Sequence, residues 1–124
     1  MPPTILVVDD DPSIVNLLKE NFEQEGYRVL LGYDGQMALQ VAKASKPALI
    51  VLDVNMPMLS GLKALEYLRM LPETKNIPIL FLSGEASSNV APALEMAGRV
   101  AHVKKPIDLD ELDKMAARLR DNLK

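Results

Sequence analysis

Thr4-Ile5-Leu6-Val7-Val8-Asp9-Asp10-Asp11-Pro12-Ser13-Ile14 is the stretch from which the fold is read. Residues Thr4–Val8 form a short run rich in Val, Ile and Leu that is apolar almost throughout. Strands buried on both faces of a parallel sheet look like this. Three acids then end the run. Asp11 is a good helix N-cap, and Pro12 suits the first helical position. Ile14, Leu17, Leu18 and Phe22 recur on one helical face, and Gly26 stops the helix.

The same alternation continues along the chain. Apolar runs recur at Arg28–Leu31, Leu49–Leu52, Ile79–Leu82 and Val100–Val103. Between them lie segments of helical spacing. Gln36–Ser45 carries Ala38, Val41 and Ala42. Gly61–Leu71 carries Leu62, Leu65 and Leu68, and Pro72 ends it. A last helix begins at an Asp108 cap and shows Leu109, Leu112, Ala116, Leu119 and Leu123. The remaining helix is short, because Pro92 is tolerated only in a first turn. It is expected to start near Asn89 and run to about Ala97, with Gly98 as its stop, and two turns make a marginal helix. A strand-helix unit repeated five times predicts an α/β fold with a parallel sheet and right-handed crossovers.

Composition narrows the function. A chain of 124 residues is one domain's worth, and 48% apolar content speaks for an ordered core. A net charge of −3 offers no basic stripe for direct nucleic-acid binding. The absence of cysteine excludes disulfides and thiolate chemistry, and a single histidine makes a structural zinc site untenable. The N-terminus lacks the basic and long apolar regions of a signal peptide. Ala48–Leu52 and Ile77–Leu82 are too short to span a bilayer. The expected location is the cytoplasm.

In an open α/β sheet, ligands bind beyond the carboxyl ends of the strands. Asp9, Asp10 and Asp11 follow the first strand, and Asp53 follows the third. Ser83 and Gly84 follow the fourth; Lys104, Lys105 and Pro106 follow the fifth. Converging carboxylates repel one another, and a hard cation such as Mg²⁺ relieves that. Asp9, Asp10 and Asp53 meet the need. One carboxylate can then attack phosphorus. Mg²⁺ and Lys105 would neutralise the incoming phosphoryl group, and the Ser83 hydroxyl would hydrogen-bond it.

At this point the chain resembles a known family. Ile5 to Asp11, Asp53-Val54-Asn55-Met56-Pro57 with Gly61, Leu82-Ser83-Gly84 and Lys105-Pro106 look like the motifs of the response-regulator receiver domain, in order and spacing. The resemblance covers residues 1–124. It implies a single doubly wound five-stranded parallel sheet, (βα)5 and flavodoxin-like, in strand order 2-1-3-4-5. It implies a phosphorylation-dependent signalling switch rather than an enzyme with a diffusible substrate. Asp53 would be the phosphoacceptor. Asp10 and Asp53 would bind Mg²⁺ directly with the Asn55 backbone carbonyl, and Asp9 mainly through water. Ser83 would swing toward the phosphoryl group, and Lys105 would pair with it. The Lys105–Pro106 bond would be cis. Asn55 and Glu85 would tune hydrolysis of the acyl phosphate, with a short-lived phosphoryl state expected. The donor would be a sensor histidine kinase or a histidine phosphotransfer protein. The recipient of the signal would be a downstream protein or a fused output domain, reached through the surface of the short helix, the fifth strand and the last helix.

Plainer roles suit some residues. Asp11 reads as a cap alone and Lys104 as a solvated lysine. Met56, Met58 and Met70 read as gap-filling side chains. His102 stands where the family places an aromatic switch residue. It is either a flat side chain that rotates with Ser83 and adds pH sensitivity, or an exposed histidine on an edge strand. Pro92, Arg99 and His102 are departures from the family pattern in the surface through which larger regulators dimerise. They lean toward a stand-alone, monomeric receiver. A flavin or nucleotide site on the same fold would want a Ser/Thr/Gly-rich loop where Asp9-Asp10-Asp11-Pro12 stands, and no Gly-x-Gly-x-x-Gly run is present. A phosphomonoester hydrolase would place its nucleophile after the first strand and carry a substrate cap.

Overall fold

Five strands, β1 (Thr4–Val8), β2 (Arg28–Gly32), β3 (Leu49–Asp53), β4 (Ile79–Ser83) and β5 (Val100–Lys104), pair in parallel in the order β2-β1-β3-β4-β5. The computed structural model describes residues 2–84 and 99–121. Four helices lie within them: α1 (Pro12–Gln24), α2 (Gly35–Ser45), α3 (Gly61–Met70) and α4 (Leu109–Asp121). The short helix expected over Asn89–Ala97, with Pro92 and Gly98, falls outside the described residues, as do Glu85 and Leu123.

The central strands are apolar at nearly every position because both sheet faces are covered. Alternate residues face opposite ways along a strand. Leu6, Val8, Ile50, Leu52, Ile79 and Phe81 join Ala38, Ala42, Ala64, Leu65 and Leu68 in the core under α2 and α3. Ile5, Val7, Leu49, Val51, Leu80 and Leu82 join Leu18, Phe22, Leu112 and Ala116 in the core under α1 and α4. Small residues on α2 and α3 let these helices lie close to the sheet. Phe22 fills the other side and meets Tyr27 edge-on at 5.8 Å between ring centroids.

The caps form as the residue types dictate. Asp11 Oδ1 accepts from the Ser13 amide at 3.0 Å and the Ser13 hydroxyl at 2.7 Å. These bonds hold the Asp11 carboxyl below its usual range. Asp108 Oδ1 accepts from the Asp110 and Glu111 amides at 2.9 and 3.3 Å. Gly26 follows α1 with φ +95°, a left-handed turn that ends the helix at little steric cost.

Several boundaries and faces differ from the sequence reading. Strands β2 to β5 each run one residue further, so Asp53 and Ser83 belong to strands. They look like loop residues in sequence, yet each has a ladder partner, Leu82 for Asp53 and Lys104 for Ser83. In α1 the buried stripe is Val15, Leu18 and Phe22, whereas Leu17 is 43% exposed. Leu18 and Phe22 of the expected stripe are buried and Ile14 packs against the core, so only Leu17 departs from the expected face, with Val15 buried in its stead. Met56 is buried, but Met58 is fully exposed and Met70 is 76% exposed, so neither of those two fills a gap. Arg99 takes a left-handed φ of +55°, and its carbonyl accepts from the Ile79 amide at 3.0 Å.

Leu18→Ala should cost about 3 kcal/mol and lower Tm by roughly 10 °C in a domain of this size. Leu17→Ala should stay within about 0.5 kcal/mol of the wild type. Thermal unfolding of the two variants checks which face α1 buries; equal losses would mean that the helix is turned otherwise.

Candidate functional site

The site is assembled from strand ends. Asp53 is the last residue of β3 and Ser83 the last of β4, while Asp9 and Lys105 stand one residue past β1 and β5. The Asp9 amide extends the ladder by donating to the Gly32 carbonyl at 3.2 Å. The Lys105 amide does the same, donating to the Ser83 carbonyl at 2.7 Å. The Lys105–Pro106 peptide bond is cis. All four side chains are thereby delivered to one edge of the sheet.

Burial separates the acids. Asp9 is 0% exposed and Asp53 3%, whereas Asp10 is exposed. Carboxylate oxygens of Asp9, Asp10 and Asp53 lie within 4.8 Å of one another. Both Asp9 oxygens are engaged: Oδ1 accepts from the Asp11 amide at 2.9 Å, and Oδ2 faces Lys105 Nζ at 3.0 Å. Lys105 Nζ also stands 3.5 Å from Asp53 Oδ1, which accepts from the Asn55 amide at 3.3 Å.

The electrostatics follow from this crowding. Burial pushes the Asp53 carboxyl up to about 6, and the charges of Asp9 and Asp10 push the same way. Lys105 and the Asn55 amide pull it down but do not prevail. Burial works against the Lys105 ammonium as well, yet its bonds and charge pairing with Asp9 and Asp53 raise its pKa overall. One ammonium thus stands against three carboxyl groups. An all-oxygen donor set, partly buried and short of positive charge, fits a hard divalent cation such as Mg²⁺.

Of the residues singled out in the sequence, Asp9, Asp10, Asp53 and Lys105 come together. Ser83 stands beside them at the end of β4, 2% exposed. Asn55 follows Asp53 on the loop, exposed. Asp11 and Lys104 keep their plain roles, cap and exposed lysine. His102 is not part of the acidic cluster. It lies within β5, half-buried, opposite Phe81, on the sheet face it shares with Val100. The direct pairing of Lys105 with Asp9 was not anticipated. The signal that could have found it is the excess of acids over lysines at the strand ends, which leaves a rim lysine few partners other than these carboxylates.

Comparison with known proteins agrees with this geometry. The family model described as "Response regulator receiver domain" matches residues 5–117. The chain is 38% identical to the Uncharacterized transcriptional regulatory protein YrkP of Bacillus subtilis (strain 168), over 94% of this chain and 49% of that protein. It is 30% identical to Sporulation initiation phosphotransferase F of the same organism, over 90% of this chain and 89% of that one. The fold superimposes on the Vibrio cholerae chemotaxis protein CheY4 with a TM-score of 0.88 at 30% identity, covering 96% of this chain and 99% of that one. The chain spans about half the length of several curated relatives it matches, YrkP among them. No helix among the described residues is long and apolar enough to cross a membrane. With the doubly wound sheet, the acidic rim and a match over residues 5–117, the chain belongs to the response regulator receiver domain family of two-component systems, whose members are regulatory domains switched by phosphorylation.

Proposed function

We propose that residues 1–124 act as one receiver domain that accepts a phosphoryl group on Asp53. The observation that carries this reading is the pairing of buried Asp53 with Lys105 Nζ at 3.5 Å, inside a cluster of acids suited to a divalent cation. An Asp53 carboxylate oxygen attacks the phosphorus of a phosphohistidine on a sensor histidine kinase or phosphotransfer protein. The P–O bond forms as the P–N bond breaks, and the leaving imidazole keeps the electron pair and takes up a proton. Asp10, Asp53 and the Asn55 carbonyl would hold Mg²⁺ directly. Asp9 would act through water, in keeping with the engagement of both its oxygens. When bound, Mg²⁺ supplies charge neutralisation for the acids and for the phosphoryl oxygens. Lys105 needs little movement to turn from the carboxylates to the new phosphoryl oxygens.

Ser83 donates its hydroxyl to the phosphoryl group and shifts with it. His102, on the neighbouring edge strand, turns in response. The changed surface comprises the segment 85–98, β5 and α4, and is read by a downstream protein or a fused output domain. The same site assists hydrolysis of the acyl phosphate, with Asn55 and Glu85 setting its lifetime. The cytoplasm is the compartment where such a donor and ATP meet. The domain itself contacts no nucleic acid.

Three measurements test the reading. With Mg²⁺ and acetyl phosphate, the protein should gain one phosphoryl group by mass, and Asp53→Asn should gain none. Labelling of the variant at the wild-type rate would refute Asp53 as acceptor. Beryllium trifluoride with Mg²⁺ should shift the amides around Asp10, Asp53, Ser83 and Lys105, and then His102. Shifts that stop at the acids would leave binding without a relay.

The third measurement is stability. The Asp53 carboxyl lies at about 6 when folded against an ordinary 3.8, so the folded state binds its proton more tightly. Metal-free stability is therefore lost as pH rises from about 4 to about 6, and stays lost above that. Asp53→Asn should stabilise the metal-free protein by roughly 1–3 kcal/mol near pH 8, and by little near pH 4. An unchanged or lower Tm at the higher pH would mean that Lys105 already compensates the charge.

A further inference from the structure

The loop between β3 and α3 presents Asn55, and two glycines press on it from different sides. At its neck, the Gly61 amide donates to the Val54 carbonyl at 2.9 Å. A side chain on Gly61 would stand 2.3 Å from the Asp53 carbonyl oxygen. At its tip, the Leu59 amide closes on the Pro57 carbonyl at 2.8 Å, a three-residue turn with Met58 at its centre. Met58 has φ +69° and is fully exposed, so its own side chain gains nothing from this unfavourable conformation. Something outside the turn must hold it.

The contact that does so comes from α2. Gly35, the first residue of that helix, is buried under Leu59. A side chain on Gly35 would stand 2.6 Å from the Leu59 carbonyl oxygen and 2.9 Å from Leu59 Cβ and Cδ2. The nearest atom is backbone, so the loop itself would have to move. The helix cannot readily retreat, because its Ala38 and Ala42 are fully buried in the core against the sheet. Leu59 is in turn packed against the core under α2 and α3.

We propose that Gly35 is a positioning residue for the phosphorylation site, bracing the strained Met58 turn through Leu59 and thereby holding the loop that offers the Asn55 carbonyl to Mg²⁺. This rests on the functional reading given above. Gly35 touches neither metal nor phosphoryl group. Its effect belongs to metal affinity, and it disappears if the turn no longer needs to be held.

The test is Mg²⁺ titration followed by backbone amide shifts, on the full chain. Gly35→Ala should raise the Mg²⁺ concentration for half-saturation by about tenfold. The rate of labelling by acetyl phosphate should fall at low Mg²⁺ and recover at saturating Mg²⁺. Leu59→Ala, which weakens the brace without crowding, should shift the half-saturation in the same direction by a smaller factor. It serves where Gly35→Ala does not fold. Adding Met58→Gly, which accepts positive φ freely, should return Gly35→Ala toward the wild-type midpoint. If the midpoint in both single variants matches the wild type, or if Met58→Gly fails to rescue, the bracing role is wrong. If the wild type itself shows no Mg²⁺-dependent shift, the functional reading falls first and this inference falls with it.

Discussion

The charge imbalance at the carboxyl edge of the sheet is the constraint on which the rest depends. Two buried carboxylates and an exposed third share one ammonium, at 3.0 Å from Asp9 and 3.5 Å from Asp53. Buried charge left unmatched is costly, and burial strengthens every interaction between the groups present. The site therefore cannot be electrically indifferent. It holds a proton on Asp53 more tightly than usual, takes a cation, or leans on Lys105. Each way of relieving the charge is linked to the others, because all act on the same oxygens.

The fold exists to hold that imbalance in place. A parallel sheet covered on both faces brings every strand's end to the same edge. Helix α1 is capped by Asp11, next to Asp9, so the first acid is fixed by the turn that starts the helix. Asp53 and Ser83 are fixed as strand residues with ladder partners on neighbouring strands. Lys105 is tied to β4 through the Ser83 carbonyl. No site residue among these depends on a long side chain finding its place unaided. The exception is the stretch after Asp53, where Asn55 sits on a loop, and there glycines at 35 and 61 allow close backbone contact instead.

Much of this was legible in the sequence, and the reasons are local. A strand buried on both faces is apolar at nearly every position, so β1, β3 and β4 stand out without any structural knowledge. Asp11-Pro12 and Asp108 announce helix starts because their chemistry acts within three residues. The acidic rim could be read because strand ends and acids coincide. What escaped was decided by distant contacts. Asp53 and Ser83 look like the first loop residues, yet cross-strand pairing keeps them in the ladder. Leu17 fits a helical stripe with Leu18 and Phe22, but Val15 is buried beside those two while Leu17 stays exposed. The Lys105–Asp9 pair joins opposite ends of the chain. Gly35 shows nothing in sequence beyond standing after a capping Asp34, since its use lies in what Leu59 does on another loop.

The rim is not braced equally on all sides, and under the proposed phosphorylation of Asp53 this would give the switch a direction. On the β3 side, the Asp53 carbonyl lies directly against Gly61, and Leu59 lies against Gly35, with no room for even a methyl group. Packed contacts resist displacement, whereas a less fully buried edge strand yields at lower cost. A phosphoryl group on Asp53 adds negative charge and new acceptor oxygens at a site already short of positive charge. Lys105 and, on the proposed reading, the Ser83 hydroxyl are the side-chain donors that would meet it, and both belong to the β4–β5 side. On the proposed reading they would be pulled toward a fixed Asp53 rather than Asp53 toward them. β5 is an edge strand whose residues Val100, Ala101 and His102 are only half-buried, while β3 and β4 are buried throughout. Under the proposed phosphorylation, the displacement would run outward from β4 into β5, the less buried edge strand on which His102 lies.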